Sequence, residues 1–374
     1  MNIDGLTFGL ERLGAIDALR RWWTDLESRS DCSFFLSWHW IGTWLRVTSS
    51  LTPLLLSVRD GKAIVGLALL QPARLRHGLG SSNALYLHQA GDPVTDAITI
   101  EYNGILCDRN YAASVERSSF QFLVQRELLD AKWNEIHVAL STDGIGRSAK
   151  EAGLIGFELA RKRSWFVDLD AVRSGNRSYL ETISHNTRYQ IRRAVKLYER
   201  HGPIAAAPAR TPKEASSYLD ELKQYHQSSW IRRGKAGSFA NAHFEEFHRR
   251  LIEICLEQEA VELVRVTAGT KPIGLVYNLI HRGRVYAYQT GLCYEDDQRL
   301  KPGLVSHYVC LERHLERPVR AYDFMAGDSR YKSNLGIPGP DLVHHVFKRP
   351  TIMARGEHFL RGLNRRLSDR PNAL

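Results

Sequence analysis

The sequence predicts an α/β protein of two lobes, and three observations carry that expectation. The chain has 374 residues, 43% of them hydrophobic, which exceeds the roughly 250 to 300 residues at which a single core stops growing. A β-hairpin pattern occurs twice, once near residue 60 and again near residue 268. Between and after these hairpins run helical patterns long enough to cover a sheet.

The first hairpin is Leu54-Leu55-Leu56-Ser57-Val58-Arg59-Asp60-Gly61 followed by Ala63-Ile64-Val65-Gly66-Leu67-Ala68-Leu69-Leu70, two apolar runs around an Asp-Gly turn. The second is Glu262-Leu263-Val264-Arg265-Val266-Thr267-Ala268-Gly269 followed by Pro272-Ile273-Gly274-Leu275-Val276-Tyr277. Val58 and Val266, Gly61 and Gly269, Gly66 and Gly274, and Leu67 and Leu275 all stand at the one offset of 208. An aromatic strand follows each hairpin, Leu85 to His88 and Val285 to Tyr288. The chain reads as a divergent duplication; because hairpins are common, chance similarity of two of them is the alternative reading.

Three helices are expected between the hairpins. Ser184 is a cap for a helix that stops at Gly202-Pro203. Its residues Ile191, Val195 and Tyr198 form an apolar stripe, and Arg188, Arg192, Lys196 and Arg200 recur every four residues on another face. Such a face is either solvated and relieved by acidic neighbours or a rail for an anionic ligand. Pro212 to Trp230 is helical through Ala215, Tyr218, Leu219 and Leu222, and His243 to Leu256 through Phe247, Leu251 and Ile254. Between them, residues 232–238 form a basic, glycine-bearing loop. Ala354 to Leu374, with Phe359, Leu360, Leu363 and Leu367 among five arginines, reads as a short amphipathic helix.

Composition narrows the function classes. Five scattered cysteines with no Cys-x-x-Cys support neither a disulfide framework nor a zinc site, and the histidine pairs His243/His248 and His344/His345 have the wrong spacing for two ligands on one helix face, so no metal is expected. No apolar run approaches the roughly 20 residues of a transmembrane helix, and Met1 to Leu10 lack a signal-peptide pattern, which makes a cytoplasmic protein the expectation. The formal charge of +10 favours an anionic partner such as a phosphorylated cofactor or RNA, and equally suits a solvated surface.

The chemistry is expected between Tyr286 and Gly336. A strand ending at Thr290 leads through Gln298, Arg299, Lys301 and Pro302-Gly303 onto a helix carrying Leu304, Tyr308, Leu311 and Leu315. A basic, glycine-bearing turn at a helix start traps anions, because exposed amides and the helix dipole face the ligand. Downstream, Asp323, Asp328, Tyr331 and Lys332 lie on a strand and the loop after it. Acyl transfer to an amine needs a base, oxyanion donors and an acid for the leaving thiolate, which these groups would supply. The same aspartates would alternatively brace the loop by accepting from amides.

The run Tyr288 to Gly291, the Gln298-x-x-x-Pro302-Gly303 turn and Asp323-Phe324-x-x-Gly327-Asp328-x-x-Tyr331-Lys332 resemble the GNAT superfamily, in the branch of cellulose-biosynthesis-type acetyltransferases. The basic helix over Arg188 to Lys196 and His226-x-x-x-Trp230 are similar to that branch as well, and the Fem-type peptidyltransferases share its two-lobed architecture. The resemblance covers about Pro53 to Gly336. It implies two tandem GNAT-like lobes, each a mixed, largely antiparallel sheet flanked by helices, with acetyl-CoA or another acyl-CoA held mainly by the second and the first degenerate. It also implies a cofactor cradle at Gln298, Arg299, Lys301, Gly303, Tyr288 and Lys332, chemistry at Asp323, His226, Tyr331 and Asp328, and an acceptor site at Trp230, Arg188 and Arg192. The sequence departs from the usual pyrophosphate signature, Arg/Gln-x-x-Gly-x-Gly/Ala, because Pro302 precedes the one matching glycine and Val305 stands where a second small residue belongs.

The division expected is a first lobe over 1–170, a basic connecting helix region over 171–203, a second lobe over 204–352 and a tail helix over 353–374. The function expected is acyl-CoA-dependent N-acylation of an unnamed amine (sugar, peptide or small metabolite), with O-transfer left open. Two other readings are an aminoacyl-tRNA-dependent transferase, motivated by the charge and the arginine stripe, and a non-catalytic accessory protein of polysaccharide or envelope assembly.

Overall fold

The structure is a computed structural model that describes residues 1–77, 80–125, 133–175 and 177–368, and side chains as far as residue 360. It divides into two compact units, one of residues 1–161 and 342–374 and the other of residues 162–341. In chain order the first unit contributes β1 (Asn2–Ile3), β2 (Leu6–Arg12), β3 (Leu54–Asp60), β4 (Ala63–His77), β5 (Gly80–Leu87), β6 (Leu106–Cys107) and β7 (Glu135–Ser141). Its helices are α1 (Ile16–Ser28), α2 (Trp38–Val47), α3 (Ala112–Gln125) and α4 (Asp143–Glu151). The long strand β8 (Ile155–Asp168) carries the chain into the second unit.

There follow α5 (Leu169–Ser174), α6 (Tyr179–Thr182), α7 (His185–Tyr198), β9 (Ile204–Pro208), α8 (Pro212–Ile231), α9 (Ala242–Cys255), β10 (Val261–Ala268), β11 (Lys271–His281), β12 (Arg284–Leu292), α10 (Pro302–Leu315), β13 (Ala321–Ala326) and α11 (Arg330–Leu335). Strand β14 (Ile337–Lys348) returns the chain to the first unit, which ends in α12 (Ile352–Ser368). Strands run in the order β1-β2-β3-β4-β5-β7-β14 in the first unit, with β6 on β4, and β8-β13-β12-β11-β10-β9 in the second. Each sheet is antiparallel except for one parallel pair, β5 with β7 and β12 with β13.

The two hairpins share one register. Val58 faces Gly66 and Val266 faces Gly274, each ladder slips by one residue directly after that pair, and the turn glycines Gly61 and Gly269 have φ of 57° and 58°. Identical slips at the offset of 208 are what a duplicated hairpin leaves behind. The parallel pairs repeat the pattern: Ala84, Leu85 and Tyr86 face Glu135, Ile136 and His137, while Arg284, Val285 and Tyr286 face Ala321, Tyr322 and Asp323. In both units the ladder is three pairs long, and beyond it the strands part.

The helices expected between the hairpins form, the first with the expected Ser184 cap. Ser184 accepts from the Thr187 amide and Thr211 from the Glu214 amide, with Pro212 in the first turn of α8. Ile191, Ala194 and Tyr198 of α7 join Val264, Val276, Val285, Tyr322 and Leu311 in the core of the second unit. Helix α7 is therefore part of the second unit and not a separate connector, because its apolar stripe is buried there. Residues 342–352 and the tail differ likewise from the expected division: Val343 to Lys348 pair with β7, which places them in the first unit. In α12, Phe359 and Leu360 are exposed, while Leu363 and Leu367 lie outside the described side chains.

In the first unit the gap between the parting parallel strands is stitched by Asn103. Its amide nitrogen donates to the Leu140 carbonyl of β7, and its Nδ2 donates to the Leu87 carbonyl of β5 at 2.9 Å. Its Oδ1 accepts from the Gly104 amide at 2.9 Å and lies 3.0 Å from His88 Nδ1. An Asn103→Ala variant keeps the backbone bond to Leu140 but removes the side-chain partner of the Leu87 carbonyl, the Gly104 amide and His88 Nδ1, so urea denaturation is expected to register a loss of roughly 2 to 4 kcal/mol. An unchanged midpoint would mean that the stitch carries no load.

Candidate active site

The second unit keeps the corresponding gap without such a stitch among the described residues. Strand β12 runs to Leu292 against β11, but β13 pairs only with Arg284, Val285 and Tyr286. From Ala287 onward β12 has a strand partner on the β11 side alone. Strand β13 turns away because Phe324 is bulged against β8, and Met325 (φ 64°) and Gly327 (φ 140°) redirect the backbone. The Lys332 ammonium fixes that end by donating to the Ala326 carbonyl at 2.6 Å. Parting parallel strands are where open α/β sheets bind ligands, beyond the carboxyl ends of the strands.

Helix α10 opens beside this gap. Pro302 has no N–H, and Val305 makes the first helical bond, to the Lys301 carbonyl. The amides of Gly303 and Leu304 donate to nothing among the described residues, and no side chain caps the helix. These donors stand at the positive end of the helix dipole. A Cβ on Gly303 would stand 3.2 Å from Leu292 Cδ1, so the small residue lets the helix start close to the end of β12.

The charges around the turn differ from the expectation in one respect. Arg299 is held by Asp297, with a 2.8 Å ion pair and an Asp297 carboxylate that also accepts from the Arg299 amide; these hydrogen bonds hold the carboxyl down at about 2. Its charge is thus locally compensated, whereas Lys301 has no ion-pair partner among the described residues, and Gln298 is exposed. The larger uncompensated charge lies on α7, which shares the α10 core. Arg188, Arg192, Lys196 and Arg200 make no ion pair among the described residues. Arg173, Arg249, Arg265, Arg284, Arg313 and Arg317 of the same unit are all ion-paired. Arg188 does lie close enough to the Glu181 carboxylate to help lower its pKa, so the stripe is relieved at that end without a direct ion pair.

Past the end of β13 the ionisable groups separate by environment. Asp323 is fully buried, pairs with Arg284 at 2.8 Å, and accepts from the Met325 amide at 2.6 Å. Asp328 is exposed. Tyr331 is partly buried, its ring stacked on His307 at 5.2 Å and 7° and edge-on to Phe324. His307 lies 3.2 Å from the Tyr322 hydroxyl, and burial pushes it down to about 3, so it is neutral at pH 7. Sequence reasoning missed His307, although it stands on the stripe Leu304, Tyr308, Leu311 that placed α10 on the core.

A second group forms where α8 crosses β12. A Cβ on Gly291 would meet the Leu222 carbonyl at 2.4 Å, so glycine allows the two backbones to touch. Further along α8, His226 is buried beside Phe239 (5.3 Å) and Trp230 (5.8 Å), and burial lowers its pKa. Its Nδ1 is 3.1 Å from Gln227 Oε1, and Gln227 Nε2 donates to the Ala236 carbonyl, which fixes that amide's orientation. The proton therefore sits on Nδ1 and leaves Nε2 as a lone-pair acceptor. Tyr288, the residue bulged from β12, places its hydroxyl 3.2 Å from His248 Nε2. His248 also faces Tyr277, and burial drives it down to about 3.

Residues 185–333 match the family model described as an acetyltransferase (GNAT) domain. The matched stretch lies wholly within the second unit. Among solved structures, FemX is similar over 94% of this chain and 99% of its own, at 10% identity and a TM-score of 0.57. The C-terminal domain of a putative lysylphosphatidylglycerol synthetase from Agrobacterium fabrum is similar over 92% and 96%, at 10% identity and 0.52. L-PGS from Bacillus licheniformis is similar over 94% and 97%, at 10% identity and 0.51. At such identities these are likenesses of fold, and they extend across both units. No curated protein sequence matches the chain.

Within the GNAT domain the expected site residues fall into two sets joined by β12. Gly303, Lys301, Arg299 and Gln298 gather at the α10 start, whereas Arg192 lies by Tyr308 farther along α10 and Arg188 by Glu181; Asp323, Tyr331 and Lys332 surround the end of β13. His226, Trp230 and Tyr288 lie on the α8 side, linked through Phe239 and Phe244. Lys332 is engaged by β13 carbonyls, and Asp328 makes no bond among the described residues. No group of histidine, cysteine and carboxylate side chains suited to a metal ion occurs among the described residues, and no described helix is long and apolar enough to cross a membrane.

Proposed function

We propose that the GNAT domain is an acyl-CoA-dependent N-acyltransferase. The observation that carries the reading is the pair of unpartnered amides at Gly303 and Leu304 beside a β12 half that lacks a second strand. The amides suit the pyrophosphate of CoA, with Lys301 adding charge and Arg299 ordered by Asp297 beside it. The amide-bearing pantetheine arm suits the open side of β12, where it would pair as a strand does, and backbone donors there would hold the thioester oxygen as it becomes an oxyanion. Tyr288 lines that strand from the opposite, bulged position, and Lys332 holds the gap open by fixing β13.

In this reading the ammonium of the acceptor gives a proton to His226 Nε2, and the free amine attacks the thioester carbonyl. The tetrahedral intermediate collapses by breaking the carbon–sulfur bond, and Tyr331 protonates the departing thiolate. A histidine whose pKa burial has lowered is unprotonated at neutral pH, as a base must be. Asp323, tied to Arg284 and Met325, braces β13 rather than moving protons, and Asp328 is left as an exposed group at the loop. The protein is read as working in the cytoplasm, where acyl-CoA is found.

Calorimetry with acetyl-CoA tests this. Saturable micromolar binding is expected, lost in Gly303→Glu, which sets a carboxylate against the two amides. Equal binding by that variant would overturn the cradle. The unpaired stripe on α7 favours a second reading, an aminoacyl-tRNA donor. Binding of bulk tRNA with no acetyl-CoA binding, weakening steeply as salt rises, would select it.

A further inference from the structure

The loop after α8 carries a cluster that the acyl-donor reading does not use. Arg233 lies over both Trp230 (5.8 Å) and Tyr294 (6.0 Å), Arg232 over Tyr294 (5.9 Å), and Lys235 over Trp230 (5.5 Å). All three cations are exposed, and none has a carboxylate partner among the described residues. Cations resting on aromatic faces keep their full charge, unlike the ion-paired arginines elsewhere in the unit. The loop is also built to hold this form. The Arg233 and Lys235 amides donate to the Trp230 carbonyl, Gln227 donates to Ala236, and Gly234 and Gly237 take φ of 70° and 74°. A Cβ on Gly237 would fall 2.3 Å from Gln227 Oε1.

We infer that this cluster binds the anionic group of the acyl acceptor, so that the acceptor is a small amine bearing a phosphate or a carboxylate. The inference rests on the acyltransferase reading for the word acceptor, though not for the anion site itself. Tyr294 directly follows β12, and Trp230 lies one turn of α8 beyond His226. An anion gripped by Arg233 and Lys235, with its carbon body on the Trp230 and Tyr294 rings, therefore presents its amine toward the histidine that would deprotonate it. Arg233 offers a bidentate fork, which suits phosphate and carboxylate geometry.

The test is nuclear magnetic resonance of the full chain labelled at tryptophan indole nitrogens, with the Trp230 signal assigned by Trp230→Phe. Inorganic phosphate, then O-phosphoethanolamine against ethanolamine and glucosamine 6-phosphate against glucosamine, are titrated at constant ionic strength with chloride as control. Phosphate and the phosphorylated amines are expected to shift the Trp230 signal saturably, the phosphorylated amines at least roughly tenfold more tightly than their unphosphorylated twins, and the preference is expected to vanish in the Arg233→Gln/Lys235→Gln double variant. Arg233→Lys, which keeps the charge without the fork, should retain part of it. Equal shifts with chloride, equal affinity for the twins, no shift with any anion, or a preference that survives the double variant would each overturn the inference. Acetyl-CoA is titrated separately: no binding there with the Trp230 preference intact would sink the donor reading and leave the anion site standing.

Discussion

Lowering the pH from about 7 to about 5 is expected to remove roughly 5 kcal/mol of folding stability. His88, His248 and His307 are buried, and burial lowers them from 6.5 to about 4, 3 and 3. A histidine with a depressed folded pKa stays neutral in the native state while the unfolded chain takes up a proton. The stability it contributes is complete above the unfolded pKa of about 6.5 and is lost as the pH falls toward the folded value. At about pH 5 each contributes a loss of roughly 2 kcal/mol, near 6 in all. Asp96 works the other way: burial raises it to about 6, so protonation in the native state returns about 1 kcal/mol over the same interval. About 4 kcal/mol of this loss falls on the second unit, which holds His248 and His307, and because domains hold only about 5 to 15 kcal/mol, that unit is expected to approach unfolding at mildly acidic pH. Urea midpoints measured from neutral to acid pH check this. A flat profile down to about pH 5 would mean that these histidines are hydrated in solution.

Removing Asp323 is expected to have the next largest effect. Asp323→Ala strands the buried Met325 amide and half-buried Arg284, with an expected cost of about 3 kcal/mol. Asp323→Asn keeps an oxygen for the amide and gives up the charge, so about half of that loss is expected. The pair of variants also separates two roles. If Asp323 braces β13, the asparagine variant keeps most of its turnover while losing stability in urea. If it were the base, turnover would fall by about a hundredfold or more with stability nearly unchanged.

Much of the fold was legible because it follows from short periods. The Asp-Gly turn at Asp60-Gly61, the cap at Ser184 and the Pro302-Gly303 start of α10 are local signals, and each stands where the sequence places it. The offset of 208 carried through to the ladder register itself, since a hairpin's register is fixed by its turn. The capture of Arg299 by Asp297 was local too, a turn in which a carboxylate accepts from the amide two residues on, and a closer reading of Asp297-Gln298-Arg299 would have found it.

What was not legible depends on pairing across long stretches of chain. Nothing near Asn103 announces that it reaches Leu87 on one strand and Leu140 on another. The bulge at Phe324, which turns Asp323 into an amide acceptor, arises from pairing with β8, more than 150 residues earlier. His307 was hidden because a histidine on an apolar stripe looks like an interruption, when its ring is in fact stacked on Tyr331 and edge-on to Phe324.

The interrupted first unit has a consequence for synthesis on the ribosome. Ser141 and Val343 are partners 202 residues apart, and β7 needs β14 to cover one of its edges. At about 5 to 20 residues per second that edge waits roughly 10 to 40 seconds for its neighbour, while residues 162–341 emerge as one unbroken stretch. The domain made later is thus the one able to finish first. In the nascent chain the earlier one offers an uncovered strand edge to chaperones, or to other copies of itself, until residues 343–348 have emerged.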